Sequence, residues 1–364
     1  MKRKIFTIIA MVVLTNCNLS VYAQRNSTER ATFTYTRLPL TPLHEGIKTY
    51  EIKPVIVAAS ADDNREQLTA RLHNAFNLYG YEKVVENGDI VFGLALSPSH
   101  LKAVYAEKID KKEKKDDKEI TVSYYYYNIE IRFPLSFTIN DKVTKTTLSS
   151  GFVNNSNDYV YVETPKFGSP TERSKWWNSN KNEFIKNWKK DELNRNLGTV
   201  KERVENLYGY TPTMVYQAVY SASKRKVDYS DLDQAQQLAL AAYKSVTAEN
   251  GFNEEFNTQI YEAIGMWKKI LTEYDESTKK ARINKKVASN IHKNLANAYY
   301  WMGEIDQARD HRILQSQIDK SLIWSKSFDI KLQDRAFRLA GGKESADDFE
   351  VISDVEEADD SEEE

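Results

Sequence analysis

Ser289–Arg309 reads SNIHKNLANAYYWMGEIDQAR, and its spacing decides how the second half of the chain folds. Ile291, Leu295, Ala298 and Met302 recur at three- and four-residue intervals with Tyr299 beside them, so they share one helical face. Lys293, Asn294 and Asn297 point elsewhere. Gly303 can take the left-handed backbone that ends a helix, and Ala308 leaves room for a second backbone to approach. The expectation is a helix, a tight glycine turn and an antiparallel second helix.

Working outward, the spacing predicts helices over Leu232–Val246, Phe252–Tyr274, Ala281–Trp301 and Ile305–Ile318, with a last one over Leu322–Leu339 that stops at Gly341 and Gly342. Pro212–Ser223 also reads as a helix with Val215, Val219 and Ala222 inward, followed by an insertion over Lys224–Ser230. Upstream, Ser169, Pro170 and Thr171 open a helical stretch in which Leu193, Leu197, Val200, Val204 and Leu207 form a stripe despite Gly198. Trp176, Trp177 and Trp188 are expected to seat this stretch against the preceding domain, and Gly209 with Pro212 marks its end.

Leu295, Ala296, Tyr299, Met302, Gly303 and Ala308 stand in the relative places where the tetratricopeptide repeat carries leucine, a small residue, tyrosine, a large apolar residue with glycine, and alanine. The stretch resembles that family. Leu232, Ala235, Ala239 and Ala242, then Ala263, Trp267 and Ile270, look like poorer copies, and the segment between Ala235 and Ala308 lacks the glycine turn and the full tyrosine signature. An irregular helical bundle is the other reading. The resemblance implies stacked antiparallel helix pairs and a face that binds another protein.

The N-terminal half reads differently. Gln24–Arg30 is polar and expected to be flexible; Ala31–Leu38 and Glu51–Ala59 are strand candidates, punctuated by Pro39, Pro42 and Pro54. Asp62–Leu78 is an amphipathic helix with Leu68, Leu72, Ala75, Phe76 and Tyr79 on one face. Tyr81–Val85 and Asp89–Leu96 are further strands, joined by a hairpin turn at Asn87 and Gly88. Lys102–Glu119 is dominated by charge of both signs and reads as a solvated loop. Val122–Ile139 alternates apolar and polar residues, with a break demanded by Pro134, and leads through Asn140–Lys142 into Val143–Phe152. Among the four tyrosines at 124–127, alternation lets Tyr124 and Tyr126 share an exposed face; ordinary sheet composition is the favoured account of them over sugar stacking.

Residues 1–23 carry Lys2, Arg3 and Lys4, an apolar run over Ile5–Leu14, and a small-residue site over Val21–Ala23, the pattern of an export signal. Cys17 would leave with it; lipidation at Cys17 is the rival, disfavoured by the bulk of Asn16 ahead of it. Without Cys17 the chain has no cysteine, so stability must come from packed area. Twelve acidic side chains in residues 344–364 leave residues 24–343 with a net charge of about +7. No basic stripe with interleaved aromatics points to nucleic acid.

His44, His73, His100, His292 and His311 lack metal-ligand spacing, although His292 and His311 could meet across the hairpin, and there is no phosphate loop or nucleophile turn. The reading is therefore an α+β protein: a signal peptide over 1–23, a mixed α/β or antiparallel-sheet domain over 24–153, a connection over 154–170, an all-α domain resembling tetratricopeptide repeats over 171–342, and a disordered acidic tail over 343–364. No cofactor, catalytic residue or transmembrane span is expected. The expected role is an exported protein, periplasmic, extracellular or outer-membrane associated, that binds a protein partner of the cell envelope through its helices. The alternative is a carbohydrate-binding or glycan-hydrolysing protein using carboxylates and exposed aromatic rings.

Overall fold

The computed structural model describes residues 25–57, 64–115, 118–223, 227–278, 280–319 and 326–342. The expected signal segment with Cys17 and the acidic tail lie outside the described residues. In chain order the elements begin β1 (Arg25–Arg37), β2 (Thr49–Ile56), α1 (Arg65–His73), β3 (Glu82–Lys83), β4 (Ile90–Leu96), β5 (His100–Lys115), β6 (Lys118–Arg132), β7 (Leu135–Asp141), β8 (Thr146–Phe152) and β9 (Val160–Glu163). They continue α2 (Pro170–Tyr208), β10 (Thr211–Ser223), α3 (Ser230–Ser245), α4 (Glu254–Leu271), α5 (Lys285–Met302), α6 (Ile305–Ile318) and α7 (Lys326–Leu339). The chain is α+β, a mixed sheet domain followed by an all-helical region.

Two compact units divide it: Leu38–Thr211, and a second that joins the segment ending at Arg37 to the chain from Pro212 onward. The expected connection over 154–170 is therefore not where the units part. The long helix after it belongs with the sheets, and the first strand belongs with the later helices.

In the sheet unit, β2 lies between β3 and β4, parallel to both, and β7 and β8 extend the sheet antiparallel beyond β4. Tyr50, Ile52, Phe92, Leu94, Leu135 and Ile139 are buried in one core with Leu72 of α1 and Leu193, Val200 and Val204 of α2. Burying that many large side chains, at about 1.5–3 kcal/mol each, is what holds a cysteine-free domain together. The Asn87–Gly88 turn does not make a hairpin, because its two flanking strands pair with β2 rather than with each other. Gly88 instead lets the loop lie on the β2 backbone, where an added Cβ would sit 2.5 Å from the Glu51 nitrogen.

Pro134 breaks the long alternating run as expected, and the break separates two sheets: β6 ends at Arg132 in a three-stranded sheet ordered β5-β6-β9, and β7 starts at Leu135 in the five-stranded one. The expected loop over Lys102–Glu119 is instead strand, apart from residues 116–117, which are not described. Mixed charge permits this because groups of complementary chemistry meet across the ladder: Lys112 with Glu119 at 3.3 Å, Asp110 with the Ser123 hydroxyl at 2.6 Å, Glu113 with the Tyr124 hydroxyl. α2 is one unbroken helix of 39 residues, capped by the Ser169 hydroxyl accepting from the Glu172 N–H. Trp177 seats it against Tyr127 at 5.5 Å, and Trp188 packs on the sheet core.

In the second unit α3 packs on α4 and α5 on α6, two antiparallel-type pairs consistent with generic helical-repeat packing. Two expectations fail here. Residues 212–223 are not helical, and 25–30 are strand: they belong to β10 and β1, which form a two-stranded ribbon. Thr211, Thr213, Val215, Tyr216, Val219 and Tyr220 are β-branched or aromatic, and a strand partner far away in sequence tips that preference over the helical spacing of Val215, Val219 and Ala222.

Candidate functional site

The six residues singled out in the helical hairpin come together at the turn between α5 and α6. Leu295, Ala296, Tyr299 and Ala308 are buried and Met302 is half-buried. Gly303 ends α5 at φ 82°, and the Glu304 N–H reaches back to the Tyr299 carbonyl at 2.9 Å. All six pack or turn the chain; their chemistry is structural.

The side shared by α3 and α5 is filled by the protein's own ribbon. Phe33 of β1 stacks on Tyr243 with centroids 5.6 Å apart and meets Trp301 edge-on at 5.2 Å. Asn294 of α5, buried, accepts from the Tyr220 N–H at 3.0 Å and donates to the Tyr220 carbonyl at 2.8 Å, so its amide replaces a neighbouring strand. Gln236 donates to the Val219 carbonyl at 2.7 Å, and the Trp301 indole donates to the Gln217 side chain at 2.8 Å. Seven residues of helix from Asn294 to Trp301 and three of strand from Tyr220 to Gln217 both span about 10 Å, so β10 runs antiparallel along α5 and then past its end. Beyond that point Tyr216 is 66 % exposed and Met214 58 %. From α7, the buried Arg335 lies 5.1–5.2 Å from the Phe252, Tyr300 and Trp301 rings and donates to the Trp301 carbonyl at 2.6 Å.

His292 and His311 do meet across the hairpin, with their Nδ1 atoms 3.0 Å apart, and Tyr299 stacks flat on His311. One ring must donate and the other accept, so at least the accepting ring is neutral and carries its proton on Nε2. Burial, and then the neighbouring His311, push the His292 pKa down to about 4. Burial and the nearby Lys268 lower His311 as well. Among the described residues no group of three or more histidine, cysteine or acidic side chains could hold a metal ion.

The other concentration of functional groups lies on one face of the β5-β6-β9 sheet. Directly paired residues share a face, so the register places His100 and Arg132 in one cross-strand row, Ala103, Glu130 and Tyr161 in the next, and Tyr105, Asn128 and Glu163 in a third. A bulge between Leu101 and Ala103 turns Lys102 onto this face, where its amine meets Glu130 at 2.6 Å. The Tyr105 hydroxyl donates to the other Glu130 oxygen at 2.9 Å. Lys102 therefore holds the buried Glu130 carboxyl below its usual range, and that carboxylate raises Tyr105. Tyr105 and Tyr161 lean toward each other across β6 with centroids 6.4 Å apart, 42 % and 63 % exposed. Next to them Arg132 stacks on Tyr159, whose hydroxyl is 2.7 Å from His100 Nδ1. No protein-family model matches the chain, and no curated protein matches it in sequence. The roles of these groups thus have to be read from their chemistry.

Two polar atoms on this face are buried without a hydrogen-bond partner, Asn128 Oδ1 and Arg132 Nε. The remaining buried carboxylates face cations: Glu51 through Oε1 with Lys142 at 2.6 Å, its Oε2 having no partner, Asp141 with His44 at 3.1 Å, and Glu192 with Arg195. Sugar stacking by Tyr124 and Tyr126 is the disfavoured reading of the sequence; on this face the exposed rings are Tyr105 and Tyr161, and Tyr124 and Tyr126 are half-buried. Alternation along β6 does put Asn128, Glu130 and Arg132 on the face of Tyr124 and Tyr126; which strands flank β6 has no local signal.

Proposed function

We propose that the protein is an exported recognition or assembly protein of the cell envelope, which binds a protein partner through its helical unit by adding an extended segment of that partner to the outer edge of β10. One observation carries the reading. β10 has β1 along one side, and its other edge is occupied by side chains at Tyr220 and at the Ala218 carbonyl, which accepts from Gln217 Nε2 at 2.9 Å. By the two-residue period, Met214 and Tyr216 point their backbone groups toward that same edge, past the end of α5, and no third strand joins the ribbon among the described residues. Methionine and tyrosine are the side chains enriched where protein interfaces form, and strand addition takes its affinity from main-chain hydrogen bonds. The basic, apolar and small-residue sequence of residues 1–23 supports export.

The test is a photo-crosslinking residue at position 216 of the full-length protein in producing cells. A discrete protein adduct is expected, abolished by Met214→Pro, which removes an edge N–H, and retained in Leu314→Ser on α6. Absence of any adduct, or one indifferent to Met214→Pro, would remove the proposal.

A further inference from the structure

The open face of the β5-β6-β9 sheet combines three features that protein packing alone does not call for. Two tyrosines on the flanking strands lean over the central one, and both keep much of their ring surface in water. The orientation of Tyr105 is fixed from below: its hydroxyl is tied to Glu130, and Glu130 is tied to Lys102. Beside them, on the same face of β6, a buried carbonyl oxygen of Asn128 and a buried N–H of Arg132 have no partner. An unmet acceptor and an unmet donor are each a destabilising feature unless water or a ligand meets them, and here both lie beside exposed rings.

We infer that this face binds a neutral carbohydrate, a chain of pyranose rings with equatorial hydroxyls. Such rings have a flat C–H surface for Tyr161 and Tyr105 and a rim of hydroxyls, each able to donate to Asn128 Oδ1 or accept from Arg132 Nε. Charge on the face argues for a neutral ligand. Lys102 is matched by Glu130, Lys166 meets Glu163 at 2.9 Å, and Arg132 is covered on one side by Tyr159 and lies 3.3 Å from the Asn157 carbonyl. At Lys102 and Lys166 an anionic ligand would have to displace a carboxylate, and the Arg132 guanidinium is engaged by a ring and a carbonyl instead. The tyrosines of adjoining rows, Tyr124 with its hydroxyl on Glu113 and Tyr126 beneath Lys166 at 4.9 Å, continue the face along β6 and give a longer chain further contacts. The inference is independent of the partner-binding edge of β10, which lies in the other unit.

The experiment is saturation-transfer NMR on residues 24–364, with cellotetraose and chitotetraose as separate probes. Transfer to ring protons of at least one is expected. Tyr161→Ala should weaken its binding about tenfold, as for aromatic stacking elsewhere, while Tyr161→Phe retains it. Asn128→Leu should weaken binding without lowering the melting temperature, because the oxygen it removes has no partner in the free protein. Tyr216→Ala, in the other unit, should leave binding unchanged. No transfer to either oligosaccharide, or equal affinity in Tyr161→Ala and the parent protein, would overturn the inference. Undiminished binding by Asn128→Leu would overturn the assignment of the polar contact.

Discussion

The inner side of α3 and α5 and the open face of the β5-β6-β9 sheet are both walls of aromatic rings, and the chain treats them in opposite ways. Over the helices it lays its own ribbon, so that Phe33, Tyr243, Phe252 and Trp301 pack ring to ring. Over the sheet it lays nothing among the described elements, and instead ties Tyr105 and Tyr124 by their hydroxyls to carboxylates of the same face. The first arrangement removes apolar surface from water and supplies stability. The second holds rings in place with hydrogen bonds while leaving them wet, which contributes little to folding and keeps a contact surface ready.

The sharpest way to break this contrast is Phe33→Ala. A fully enclosed ring between Tyr243 and Trp301 should be worth about 3–5 kcal/mol, measured by urea unfolding of the full chain. A loss below about 1 kcal/mol would make the ribbon an accessory to the helices. Asn294→Leu comes next. It leaves the Tyr220 N–H and carbonyl without their partner, at about 2–3 kcal/mol, and should speed amide exchange at Tyr220 before that of the α5 core. Unchanged exchange there would mean the edge has another closure.

The histidine pair gives a pH test of smaller size. The folded pKa of His292, about 4, lies below its ordinary 6.5, so the unfolded chain takes up the proton first. The associated stability is complete above about pH 6.5 and is lost as the pH falls toward 4, by at most roughly 1.4 kcal/mol per unit. Unfolding measured from pH 7 to 4.5 should show that slope, and His292→Asn should flatten it. A slope unaffected by the substitution would assign the acid sensitivity to other groups.

How much of this was legible follows from where the information sits. The α5–α6 hairpin could be read because Leu295, Tyr299, Gly303 and Ala308 act on neighbours within a few turns. Pro134 and Ser169 acted locally too, one ending a strand and the other capping a helix. β10 was misread because its helical spacing and its β-branched content disagree, and the deciding partner, β1, is about 180 residues away. The charged hairpin was misread for the same reason: Lys112 and Glu119 reward strand pairing once the register exists, and no pattern within either strand announces that register. Of the open face, alternation along β6 gave Glu130 and Arg132 a common side, but Tyr161 and the bulge that delivers Lys102 come from other strands.

The smallest effect is the most telling for the comparison. Tyr161→Ala deletes an aromatic ring, as Phe33→Ala does, yet Tyr161 keeps 63 % of its surface in water and carries no part of either apolar core. Its removal should change stability by less than about 0.5 kcal/mol, the range of surface substitutions. If the loss instead approached that of Phe33→Ala, Tyr161 would be holding Tyr105 and Glu130 in place, and the face would be a structural layer. A near-zero change in unfolding, together with a binding defect, separates the two walls cleanly: one set of rings is kept for the fold, the other for a ligand.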